Sequence, residues 1–193
     1  MPYGTLELTE HGINPFVDIH KASGQQGTPD VSSVTIDVCD TGNRGGVLVD
    51  GYIQNTSTAT AYMQFQNTNG ASRQCAYRVQ TKGSTSTADS RTTNAVKMSV
   101  NTISNYYRQA IKFQLWIKFG QLQNTNPIED IAFHWRAMAF DNDNSNVSTV
   151  RGLGRVNTAS SNTDTGEVSK VNFYMYPGNI SRYRLRCYSM FGV

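Results

Sequence analysis

The sequence predicts an all-β fold: an antiparallel two-sheet β-sandwich, jelly-roll-like, of about nine short strands behind an extended N-terminal arm. Three observations carry this expectation. Apolar and polar residues alternate with a period of two in KFQLWIKF (112–119) and IAFHWRAMAF (131–140), the pattern of a half-buried strand. Clusters rich in Asn, Ser, Thr and Gly punctuate the chain between such runs, as turns do. Charged residues make up only 16% of the chain, and no long segment has the helical period, so nothing is present to cover a parallel sheet. Two antiparallel sheets, packed face to face, bury what such strands leave apolar.

In chain order, residues 1–33 lack sustained alternation and hold the turn-rich GQQGTPD. They are expected to form an extended arm, with room for one short strand, of the kind that docks on a partner. Residues 34–193 are expected to form the sandwich, and deleting 1–33 should leave it folded. Val34, Ile36 and Val38 share one side of VTIDV; VLVDGYIQ and AYMQFQ, separated by NTSTAT, read as a hairpin, and QCAYRVQ continues the series. KGSTSTADSRTTNA reads as a long exposed loop. The alternation of 112–119 sets Phe113, Leu115, Ile117 and Phe119 inward, with Lys112, Gln114, Trp116 and Lys118 opposite. In 131–140, Ile131, Phe133, Trp135, Ala137 and Ala139 take the inner face of what should be a central strand. SVNTISNYYRQA is the one competing helical stretch, and its β-branched and aromatic residues suit a turn or strand edge equally. The closing RYRLRCYSMF points Leu185 and Cys187 inward and Arg182, Arg184, Arg186 and Tyr188 outward, so the last segment reads as a core strand.

The chemistry is sparse. No GxSxG, HExxH, P-loop or Rossmann motif occurs, and the protein is not expected to be an enzyme. His11 and His20 fall in the arm, while His134 lies on an outward strand face as a surface or interface residue. A glycan-degrading activity would need two converging acids, for which Asp37, Asp50 and Glu129 are the remaining candidates. Asp141, Asp143 and Ser145 have the spacing of calcium ligands. However, Asn146 and Gly152 stand where an EF-hand needs Gly and Glu, so DNDNSN reads as a solvated hairpin tip. No metal and no cofactor are expected. Cys39, Cys75 and Cys187 have no paired spacing and read as buried free thiols.

The row Arg182, Arg184, Arg186 is the concentrated charge feature. It suits phosphate or carboxylate groups of a surface glycan, and equally suits acidic residues of a neighbouring strand or subunit. The outward aromatics Tyr52, Tyr62, Trp116, Tyr174, Tyr176 and Tyr188 could stack on sugar rings or fill a subunit interface. Arg182, Arg184, Arg186, Trp116, Tyr188 and His134 are therefore the candidate contact residues. The net charge of +3 is too small to imply a nucleic-acid partner. No apolar run is long enough to insert in a membrane, and MPYGTLELTEHG lacks the pattern of a secretory signal, so synthesis in the cytosol is expected.

AYMQFQNTNGASRQCAYRVQ, IAFHWRAMAF and VSKVNFYMYPGNISRYRLRCYSMFGV together resemble the β-sandwich domains of tailed-bacteriophage virion proteins, notably tail-fibre and head-surface adhesins. The likeness spans about residues 47–193. It rests on the turn Gly178, Asn179, Ile180, on the closing Phe191, Gly192, Val193, and on the opening MPYGTLEL. It implies a virion component, usually a homotrimer, displayed on the particle and made in the bacterial cytoplasm. No coiled-coil or β-helical shaft precedes the sandwich, so a small subunit held by its arm to tail or capsid fits the length better than a fibre tip. The expected function is a non-enzymatic surface protein of the tail- or head-fibre adhesin type, meeting the host surface through its loops, with 81–95 and 141–166 as the polar loop set, and through aromatic or arginine-bearing faces. The alternative is a capsid decoration protein whose broad faces contact the head. Its partners would be other virion proteins and copies of itself.

Overall fold

The computed structural model describes residues 16–23, 30–38, 46–55, 59–81, 87–98, 110–119, 131–140, 147–156 and 168–190. These form β1 (Phe16–Ser23), β2 (Ser33–Asp37), β3 (Gly46–Asn55), β4 (Thr60–Gln66), β5 (Cys75–Thr81), β6 (Thr87–Thr93), β7 (Val96–Lys97), β8 (Ala110–Lys118), β9 (Ile131–Phe140), β10 (Val147–Val156), β11 (Lys170–Tyr176) and β12 (Ile180–Met190). No helix occurs among the described residues. An eight-stranded sheet has the order β1-β12-β3-β8-β9-β10-β5-β6, and a four-stranded sheet the order β2-β11-β4-β7. Every pairing is antiparallel. The two-sheet sandwich expected from the alternation is the fold.

Period-two patterning explains the layering. β8 alternates strictly from Ile111 to Lys118, with Ile111, Phe113, Leu115 and Ile117 buried and Lys112, Gln114, Trp116 and Lys118 outward. β11 buries Val171, Phe173 and Met175 from the opposite sheet. Across the gap Phe65 of β4 meets Phe133 of β9 at a ring separation of 4.5 Å, and Phe113 of β8 meets Phe173 of β11 at 4.8 Å. Each such buried side chain contributes about 1.5–3 kcal/mol relative to exposure. Trp135 of β9 adds a polar tie, because its indole N–H donates to the carbonyl of Met98, just past β7, at 3.1 Å. Met98 in turn donates its backbone N–H to Ala61 of β4, so one side chain of the large sheet is fastened to the frame of the small one.

Two glycines make room for aromatic rings or for a turn. Gly152 stands directly across from Trp135 in the β9–β10 register, and a Cβ there would lie 2.0 Å from an indole carbon. The atom met is in the body of the ring, so relief requires the whole indole to move. Gly152→Ala is expected to cost about 1–3 kcal/mol, the usual range for overpacking a filled core, read as a lowered urea midpoint at unchanged slope. An unchanged midpoint would mean that the indole has a second place to go. Gly178, with φ of +110°, occupies the turn after the cis Tyr176–Pro177 bond and takes the chain from β11 in one sheet to β12 in the other.

Several expectations change here. The stretch 1–33 contains a full strand of the large sheet: β1 pairs with β12 from Phe16↔Met190 to Ser23↔Arg184, and Val31 forms a bridge to Ile180. Residues 1–15 and 24–29, where the rest of the arm was expected, lie outside the described residues. The expected hairpin of β3 and β4 does not form, because the two strands belong to different sheets. Alternation fixes which face of a strand is buried and leaves its partner open. The loop expected at 82–95 contains β6, an edge strand paired with β5. Its polar composition is compatible because the ladder uses backbone groups, and threonine is a good strand former. β10 likewise occupies part of the expected loop 141–166. The ambiguous segment 99–109 lies outside the described residues.

Candidate functional site

The outward positions of the large sheet fall into register as continuous rows. One row runs Tyr188, Leu48, Trp116, His134, Leu153 across β12, β3, β8, β9 and β10. The next runs Arg186, Asp50, Gln114, Arg136, Arg151, Gln80, reaching β5. All six candidate contact residues therefore share one surface. Arg184 is exposed, while Arg182, Arg186, Trp116 and Tyr188 are half-buried. His134 lies flat on Trp116, its cross-strand partner, with ring centroids 4.6 Å apart and planes 10° from parallel.

The same surface gathers cations that sequence reasoning did not bring together. Lys112 and Lys118 stand on β8, Arg136 on β9, Arg151 and Arg155 on β10, and Arg184 and Arg186 on β12, with Arg78 and Arg182 adding to them. The carboxylates of this face are Asp50 on β3 and, by register, Asp18 of β1 opposite Tyr188 and Asp89 of β6 opposite Arg78. Arg136 and Arg151 face each other directly across β9 and β10, flanked in their row by Gln114 and Gln80. Like charges placed opposite in a sheet are destabilising, so this arrangement costs stability. An open depression of about 430 Å³ lies there, bordered by Lys112, Gln114, Arg136, Met138, Thr149 and Arg151, within the size range of small-ligand sites. Met138 and Leu153, 41% and 63% exposed, place apolar surface among the cations.

The electrostatics reach His134. Partial burial, and secondly the charge of Arg136, lower its pKa from the ordinary 6.5. Its remaining charged neighbours are Lys118 on β8 and Arg151 and Arg155 on β10, all cationic. The unfolded chain therefore takes up a proton at higher pH than the folded one, and the contribution of this group to stability falls as pH drops through 6.5. His134→Gln is expected to lose less thermal stability than the parent chain between about pH 7 and pH 5. Equal losses would show that the ring titrates as it does in the unfolded chain.

The outer face of the small sheet differs in chemistry. Tyr62 and Tyr174 stack at 5.1 Å. Beside them the Thr35 hydroxyl donates to Asn172 Oδ1, and Asn172 Nδ2 donates to Gln64 Oε1. The six outward aromatics thus divide: Tyr52, Trp116 and Tyr188 on the cationic face, Tyr62, Tyr174 and Tyr176 on the amide-rich one. Asp37 on β2 and Asp50 on β3 belong to opposite outer faces and do not converge as a catalytic pair. Glu129, Asp141, Asp143, His11 and Cys39 lie outside the described residues. Cys75 and Cys187 are free and buried, and burial pushes both thiols up to about 12, which leaves them protonated and unreactive at neutral pH. Among the described residues no group of three His, Cys, Asp or Glu could hold a metal ion, and no helix is long and apolar enough to cross a membrane.

Fold and face together define an all-β sandwich with one cationic, ring-bearing sheet surface and one surface rich in amides and tyrosines that also carries Asp37, Lys97 and Lys170. No family model, no curated protein and no solved structure matches this chain.

Proposed function

We propose that this chain is a non-enzymatic structural subunit of a virus particle, of bacteriophage type, that packs against other protein subunits and copies of itself as a trimer. The observation that carries the reading is the strand order. With the hairpin-like additions β5, β6, β9 and β10 set aside, the remaining strands run β1-β12-β3-β8 in one sheet and β2-β11-β4-β7 in the other. Each early strand lies beside a late one, as in the nested Greek keys of an eight-stranded jelly roll. That fold recurs in viral capsid and lectin domains, and the support is analogy of fold. It agrees with the resemblance to phage virion proteins carried by the sequence.

Between the two uses of such a subunit, the capsid-decoration reading gains from the structure. The adhesin reading uses the arginine- and ring-bearing face and the polar loops at 81–95 and 141–166, and β6 and β10 occupy parts of both loops. The decoration reading needs broad contact faces, and the tyrosine- and amide-rich outer face of the small sheet has the character of one. The test mixes the purified chain with phage capsids lacking a decoration protein and, separately, with isolated bacterial envelopes. Sedimentation as a trimer together with capsid binding is the expected result. Binding to envelopes alone would return the reading to an adhesin, and a monomer that binds neither would overturn it.

A further inference from the structure

We propose that the outer face of the large sheet binds single-stranded nucleic acid, with its cations on the phosphates and Trp116, His134, Leu153 and Met138 against the bases. This goes beyond the structural role proposed above and rests on different observations. The net charge of +3 argues against such a partner only while charge is taken as spread evenly over the molecule. The register shows that it is not. Cations from β8, β9, β10 and β12 outnumber the acids of this face, which are Asp50 of β3 and, by register, Asp18 opposite Tyr188 and Asp89 opposite Arg78.

Three features select the ligand. The directly opposed Arg136 and Arg151 repel each other in the free protein, and a phosphate between them converts that repulsion into two charge-assisted hydrogen bonds. Along β12 alternate arginines recur about every 6.6–6.8 Å, twice the rise per strand residue, a ladder of cations suited to a chain of regularly spaced anions. The exposed His134, the half-buried Trp116 and the apolar Leu153 and Met138 sit among these cations rather than apart from them, and unpaired bases stack on such platforms while their backbone follows the charge. A duplex hides its bases inside and would leave Trp116, His134 and Leu153 unused. A broad sheet surface also does not enter a groove as a helix does. A sulfated or phosphorylated glycan could use the arginines, and is the competing source of anions.

The test measures fluorescence anisotropy of a labelled oligothymidylate with the full chain at two salt concentrations, with a duplex of equal length and a sulfated polysaccharide as competitors. Single strands should win over duplex. Affinity should fall with salt along a log–log slope that flattens by about 0.7 in the double variant Arg136→Gln/Arg151→Gln, the share of the one phosphate held between the two arginines. That variant should melt no lower than the parent, because it removes a repulsive pair, and this separates a binding defect from a folding defect. Trp116→Leu should weaken binding by roughly tenfold with little change in the salt slope, as expected for a stacked base. Lys97→Gln, on the small sheet, should change nothing. No binding at low salt, equal binding of duplex and single strand, or preferential capture of the sulfated polysaccharide would each overturn the proposal. None of these results depends on whether the chain joins a virus particle.

Discussion

Replacing Trp135 with alanine is expected to lower stability by about 3–5 kcal/mol, the range for truncating a large buried aromatic, measured by urea denaturation. The side chain is 1% exposed. It stacks near Phe133 at 5.9 Å, tilts against Tyr77 at 6.3 Å and lies over Gly152, which has no side chain to fill the space it would leave. Its N–H also satisfies the Met98 carbonyl, so truncation leaves that acceptor without its donor. Trp135→Phe separates the two contributions. It keeps most of the ring volume and should cost about 1–3 kcal/mol, chiefly the unsatisfied carbonyl and a small void. If the phenylalanine variant is as unstable as the alanine one, the hydrogen bond rather than the packing ties the sheets at this point.

Deleting residues 1–23 is expected to destabilise the sandwich and make it associate. β1 and β12 share a ladder interrupted by a single irregularity between Asp18 and His20. Several backbone hydrogen bonds at about 0.5–1.5 kcal/mol net each make the loss at least about 2 kcal/mol. The deletion also turns β12 into an open edge, a template for pairing with another chain. Chemical denaturation at several protein concentrations, with light scattering alongside, checks both effects. A truncated chain that keeps the parent's oligomeric state and full stability would mean that β1 is a detachable arm, as the sequence suggests.

That contrast marks how far the fold is legible in the sequence. The faces of β8, β9, β11 and β12 are readable because alternation is a local signal: Lys112, Trp116 and His134 are outward and Phe113, Leu115 and Trp135 inward, as expected. Which strands lie side by side is not readable, because pairing depends on residues far apart in the chain. β3 and β4 therefore look like a hairpin in sequence, and the charges of Arg136 and Arg151 look scattered. All six expected contact residues reach one surface, yet its strongest feature, the opposed arginines, needs the register between β9 and β10. β1 and β6 escape sequence reading for another reason. Edge strands are held by backbone bonds on one side and need no apolar stripe, so their sequences carry little trace of their place.

The nesting of early strands beside late ones also governs how the chain comes to be folded. Lys21 finds its register partner at Arg186, and Ile36 finds its own at Val171. On the ribosome β1 and β2 therefore emerge long before the strands that complete them, and no N-terminal half can close a sheet by itself. Such distant pairings make folding slow, and until β11 and β12 arrive the waiting strand edges are open to neighbouring nascent chains. Yield in a bacterial host should accordingly depend on synthesis rate and chaperone supply more than on the final stability of the sandwich.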